Sequence, residues 1–239
     1  MILSLLSNDF LINQAKYFYL RFKSNILSMR KNQIIDLAII LISFAIAIYF
    51  YPRMPEKMAS HWNAQGEVDG YMSKSIALFL MPILSLILFL IYITLPKIDP
   101  LKQNFKKFRK YYDSFILLLL FFLFYIYLLT LFWNLGFRFE MVQFLIPALC
   151  VLFYYCGILI ENAKRNWFVG IKTPWTLSSD VVWNKTHKLG GKLFKLSAIL
   201  AIFGMFLKQY ALYFVILPVI FVSVFTFIYS YYLYAKENK

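Results

Sequence analysis

The sequence predicts an all-α integral membrane protein with six transmembrane helices and both termini cytoplasmic. Three observations predict it. The 239-residue chain is 62% hydrophobic and 15% charged, much less charge than a soluble domain of this size carries. Its apolar residues gather in six runs, each near the roughly 20 helical residues that a bilayer core requires. Its basic residues gather in alternate connections, which orients a membrane chain.

Residues 1–33 form an amino-terminal cytoplasmic segment. Met1 to Leu6 is too short for a secretory signal, and no small-residue cleavage site follows it. Leu11, Ala15, Phe18, Phe22 and Ile26 recur at helical spacing, with Lys16, Arg21 and Lys23 on other faces. That pattern predicts an amphipathic helix lying on the membrane. In the alternative reading, Met29-Arg30-Lys31 is the natural start and residues 1–28 are a dispensable extension.

The spans fall at 34–52, 76–95, 114–135, 142–160, 192–208 and 211–234. They pair into helical hairpins over 34–95, 114–160 and 192–239, separated by a basic loop at 96–113 and a basic-aromatic segment at 161–191. The span at 192–208 is the shortest. Pro82, Pro147 and Pro218 lie several residues into the even-numbered spans, where each should kink its helix. Of the 25 basic residues, only Arg53, Lys57, Lys74, Arg138 and Lys208 lie on the far side in this arrangement. The termini, the 96–113 loop and the 161–191 segment are then cytoplasmic. Net charge is +14. Its confinement to connections between apolar runs argues against nucleic acid as a partner. Cys150 and Cys156 stand on different faces of one apolar run and should be buried free thiols.

The first external connection, Tyr51 to Tyr71, has two helix-breaking prolines, and Gly66 and Gly70 mark turns. His61, Glu67 and Asp69 could hold a divalent metal in type, but a zinc site asks for more His or Cys at defined spacing. His61 with Glu67 could perform acid–base work, yet no nucleophile or oxyanion arrangement accompanies them. The simpler reading is a folded cap. His61 and Asn63 hydrogen-bond the loop and Trp62 anchors it at the interface. No metal, cofactor or enzymatic activity is expected.

The polar segment Glu161–Gly191 alternates basic and aromatic residues and holds Trp167, Trp175 and Trp183. Such a segment suits a bilayer surface, with rings at headgroup depth and cations toward lipid phosphate. Gly170, Thr173 and Pro174 predict an extended or turned stretch over 166–176. Ser178 or Ser179 can cap a helix whose positive end Asp180 complements, running to about Leu189. Trp183 and His187 would share one face of it. Gly190 and Gly191 would end that helix or let two helices approach closely. The plain reading is a surface linker whose tryptophans are only anchors.

The run Asn166, Trp167, Phe168, Val169, Gly170, Ile171, Lys172, Thr173, Pro174, Trp175, Thr176, followed by Val182, Trp183, Thr186, His187 and Gly190, resembles the signature of the Sdp-type immunity proteins. The usual pattern has Arg where this chain has Lys172, which keeps the charge and loses the guanidinium fork. Upstream, Pro55, His61, Trp62, Asn63, Gly66, Asp69 and Lys74 resemble a short domain of unknown function that often precedes that signature. The resemblance implies a multi-pass protein of the bacterial cell membrane that resists a secreted toxic peptide. It also implies a possible second role, holding a cytoplasmic transcriptional repressor at the membrane. The 52–75 loop would then meet the peptide, and the 161–191 segment would meet the repressor. The alternatives are a small-solute or lipid-handling transporter, which needs a polar-lined cavity, and a bare scaffold or sensor. No ionisable residue lies at the centre of any predicted span, unlike the usual ion-coupled carrier.

Overall fold

The computed structural model describes residues 29–238 and, before them, residues 13, 14, 16, 17 and 20. Leu11, Ala15, Phe18, Phe22 and Ile26, the apolar face expected of the amino-terminal segment, lie outside the described residues. The elements are α1 (Lys31–Phe50), β1 (Lys57–Trp62), β2 (Val68–Ser73), α2 (Lys74–Ile98), α3 (Lys102–Asn134), α4 (Met141–Asn162), the short α5 (Pro174–Ser178), α6 (Asp180–Gly204) and α7 (Ala211–Glu237).

Five helices among the described residues are long and apolar enough to cross a membrane: α1, α2, α3, α4 and α7. This corrects the expectation of six spans. The predicted span at 192–208 belongs to α6, which carries Asp180, Lys185, Lys188, Lys192 and Lys195 ahead of its apolar portion. Its apolar portion begins only at Leu196 and stops at Gly204, where a 3-10 segment, Met205–Tyr210, takes over. An odd number of spans removes the basis on which both termini were assigned to the cytoplasm.

The basic stretch expected as a loop over 96–113 is mostly helix, because α3 begins at Lys102. Phe105, Phe108 and Tyr112 recur at helical spacing among its lysines and are buried, so the stretch has an apolar face to pack. Pro82, Pro147 and Pro218 sit inside helices, as expected. A break in helical dihedrals falls where no proline stands, at Phe108 in α3.

One core half packs Ile40, Phe89, Tyr92, Phe105, Tyr112 and Trp183 together. At that end, Asp113 of α3 accepts from Arg30 Nε at 2.7 Å and from Arg109 Nε at 2.8 Å. Arg30 Nη2 also donates to the Tyr92 hydroxyl at 3.2 Å. These bonds clip the start of α1 to α2 and α3 with charge-assisted geometry. Asp36, farther along α1, is wholly buried, with neither carboxyl oxygen hydrogen-bonded among the described residues. The opposite end packs Ala47, Met54, Met58, Leu78, Tyr127 and Leu131 beneath the β-hairpin. The most extensive helix–helix contact joins α4 to α6, where Gly157 and Gly191 bring the two backbones together.

Candidate functional site

The predicted site residues form two groups at opposite ends of the bundle. The first group sits on the expected folded cap, which takes the form of a β-hairpin. β1 and β2 pair antiparallel, Lys57 opposite Ser73 and Trp62 opposite Val68, with a bulge on β1 between Ala59 and His61. Asn63 shapes the turn. Its Oδ1 accepts from the Gln65 amide at 3.0 Å and the Glu67 amide at 2.9 Å. Gly66 takes φ +83° there, a conformation that glycine adopts without strain. Gly70 is in β2 opposite His61, not in a turn, and a side chain on it would press against the His61 Cβ.

His61 Nδ1 bonds the Asp69 carboxylate across the strands, and both side chains are exposed. Trp62 lies edge-on to Trp133 of α3, with ring centroids 5.6 Å apart. Lys74 Nζ donates to Glu56 at 2.7 Å, and Pro55 stands exposed beside that pair. Asn134, at the carboxyl end of α3, was missed in the sequence. Its Oδ1 accepts from the Ala59 amide at 2.8 Å and its Nδ2 donates to the Ala59 carbonyl at 3.0 Å. It thereby satisfies the open edge of β1 as a neighbouring strand would. The hairpin is thus a cap seated on the helix ends. Among the described residues, no three His, Cys, Asp or Glu side chains gather as a metal site.

The second group is folded, not draped along a surface. Asn166 is fully buried and organises the turn after α4. Its Oδ1 accepts from the Phe168 amide at 2.9 Å and the Val169 amide at 2.6 Å. Its Nδ2 donates to the Lys164 and Val169 carbonyls, each at 2.8 Å. The Trp167 amide donates to Asp99 at 2.9 Å while its ring stays exposed. Thr173 caps α5, accepting from the Thr176 amide at 3.1 Å, and Pro174 opens the helix. Trp175 packs on Phe227 and Tyr231 of α7, each 5.1 Å away.

Ser179 caps α6 and Asp180 occupies its first turn, as the sequence suggests. The helix then continues past the expected end near Leu189. Gly190 and Gly191 serve close approach, Gly190 lying against Ile171 and Gly191 against Glu161. Trp183 and His187 do share a face, and their rings stack 3.8 Å apart. Trp183 is fully buried, and its indole donates to the Ala163 carbonyl at 2.8 Å. His187 Nε2 accepts from the Ile171 amide at 2.9 Å. Nδ1 therefore carries the proton and donates to the Trp183 carbonyl at 2.8 Å.

Burial pushes the His187 pKa from 6.5 down to about 4, although the bond to Trp183 opposes that shift. The folded chain then keeps His187 neutral through a range where the unfolded chain takes up a proton. Stability is present above pH 6.5 and falls as the pH drops toward 4. Between pH 7 and pH 5 the expected loss is roughly 2 kcal/mol. Thermal unfolding at the two pH values measures it, and His187→Gln should remove this part of the pH dependence.

The loop from Phe168 to Thr173 closes one end of a cavity of about 560 Å³. Its other walls come from α2, α3, α4, α6 and α7 and are largely apolar. Cys156, half-buried on α4, faces it, whereas Cys150 is buried; both are free thiols. The cavity joins the second group to the helix bundle, a placement that the sequence alone did not indicate.

Comparison with known proteins follows the same division. Residues 162–230 match the SdpI/YfhL protein family. Residues 38–86 match a domain of unknown function, DUF1648. The chain is 26% identical over 211 residues to the immunity protein SdpI of Bacillus subtilis (strain 168), covering 88% of this chain and 99% of that protein. No solved structure matches.

Proposed function

We propose that this chain, a multi-pass bacterial membrane protein of the SdpI/YfhL family, protects the cell that carries it against a secreted, membrane-active peptide. The observation that supports this reading is the near end-to-end likeness to an immunity protein. In this reading the hairpin end faces outward. The other end carries Arg30, Lys102, Lys106, Arg109, Lys164 and Arg165, a basic excess of the kind found on the cytoplasmic side. The hairpin offers an incoming peptide exposed polar groups at His61, Asp69 and Glu56, with Trp62 held between strand and helix.

The segment from Asn166 to Gly190 has a structural role in this reading, because its buried side chains are committed to internal bonds or packing. Trp167, Lys172 and Pro174 of the loop remain exposed, as do Asn184, Lys185 and Lys188 on α6. Trp167, with Lys185 and Lys188, is where a cytoplasmic repressor would be held. A transporter would ask for a polar path through the spans, and the cavity beside them is lined mainly by apolar side chains.

The hairpin's part is tested by challenging sensitive cells that express Trp62→Ala or His61→Ala with the peptide. Protection should fall at least several-fold while membrane levels stay those of the parent. Undiminished protection in both variants would remove the hairpin from the mechanism.

A further inference from the structure

We propose that the cavity beneath the Phe168–Thr173 loop holds one acyl chain of an anionic phospholipid, with the lipid phosphate at Lys172. At about 560 Å³ the cavity is within the range of ligand sites, roughly 300–1,000 Å³. Leu88 and Ile91 of α2, Phe115 of α3, Ile160 of α4 and Phe227 of α7 supply much of its wall. All four helices are apolar enough to cross a bilayer. The medium that competes for this space is therefore hydrocarbon more than water. Ser223, which is exposed on α7, also lines the cavity, so the space reaches the outer surface of the bundle.

Charge selects the headgroup. Among the described residues, Lys172 is the one charged residue in the lining, and no carboxylate shares it. Its Nζ donates to the Phe168 carbonyl at 3.0 Å, which holds the ammonium over the loop and leaves it donors to spare. An apolar chamber with one cation at its polar end complements an amphiphile with one tail inside and an anion outside. A peptide segment fits less well, because its backbone amides and carbonyls would need partners in the chamber. The Thr226 hydroxyl is already bonded to the Val222 carbonyl at 2.8 Å, and that of Thr173 to Ser230 at 3.0 Å. The signature residues thus form a lid on a lipid site. This inference does not depend on the immunity reading.

The test uses the full chain, purified in mild detergent from vesicles of phosphatidylethanolamine and phosphatidylglycerol and weighed intact by native mass spectrometry. The expected result is one retained phosphatidylglycerol per chain. Ser223→Phe and Cys156→Phe fill the chamber from two helices, and each should lower retention about tenfold. Lys172→Gln should lower the preference for phosphatidylglycerol over phosphatidylethanolamine about fivefold while leaving a lipid bound. If Cys156→Phe fails to fold, Ser223→Phe, at an exposed position, still decides the matter. A parent that retains no phosphatidylglycerol, or retains both lipids equally, overturns the proposal. So does undiminished retention in the filled variants.

Discussion

Replacing Gly170 with alanine is expected to destabilise the chain by roughly 3 kcal/mol or more, through backbone strain and a steric clash acting together. Gly170 holds φ +119°, a conformation that a residue with a Cβ rarely adopts. The added Cβ would also overlap His187 Nε2 and crowd the Trp183 ring. Relief requires the loop or the imidazole to move, and either movement breaks the Ile171–His187 bond. The measurement is thermal unfolding of the purified chain, with a large fall in midpoint expected. Gly136→Ala is the control. Gly136 also has positive φ, at +104°, but a Cβ there meets nothing within 4 Å. It should therefore show only the backbone part of the loss.

Trp183→Ala is expected to cost roughly 4 kcal/mol, the usual range for a buried large aromatic side chain. The indole is fully buried, stacks on His187 and donates to the Ala163 carbonyl just beyond α4. Its loss leaves a cavity between α4 and α6 and an unsatisfied carbonyl. Trp183→Phe separates these contributions. It keeps most of the stacking and loses the bond, so it should cost about 1–2 kcal/mol. Equal losses in the two variants would mean that the hydrogen bond, and not the packing, dominates.

These two positions also mark how much could be read in advance. The cap at Ser179, the shared face of Trp183 and His187, and the turn around Gly170 were all legible, because each depends on near neighbours in the chain. The extent of α6 was not. Leu196–Gly204 resembles the start of a span, but the lysines before it belong to the same helix, and hydropathy read in runs cannot show that continuity. The hairpin was obscured for a similar reason. Its strands Lys57–Trp62 and Val68–Ser73 are short and lack clean alternation of apolar and polar residues. Tertiary partners, Asn134 above all, complete its edge. The aromatic segment was expected to lie on a bilayer surface. Composition cannot distinguish a ring at the interface from one buried in protein, and here Trp183 is buried while Trp167 is exposed. The burial of Asn166 likewise follows from a local bonding pattern that residue type alone does not indicate. The motif order gave the family resemblance, whereas the cavity required five helices to be in place.

The measurement that bears most directly on immunity is survival of a sensitive bacterium expressing this chain, challenged with the secreted peptide of an Sdp-type producer and compared with cells carrying an empty vector. The expressing cells should survive peptide doses that kill the vector control, and Gly170→Ala, present at reduced folded levels, should protect less. Equal killing of the two strains, with the parent chain shown to be inserted and folded in the membrane, would contradict it.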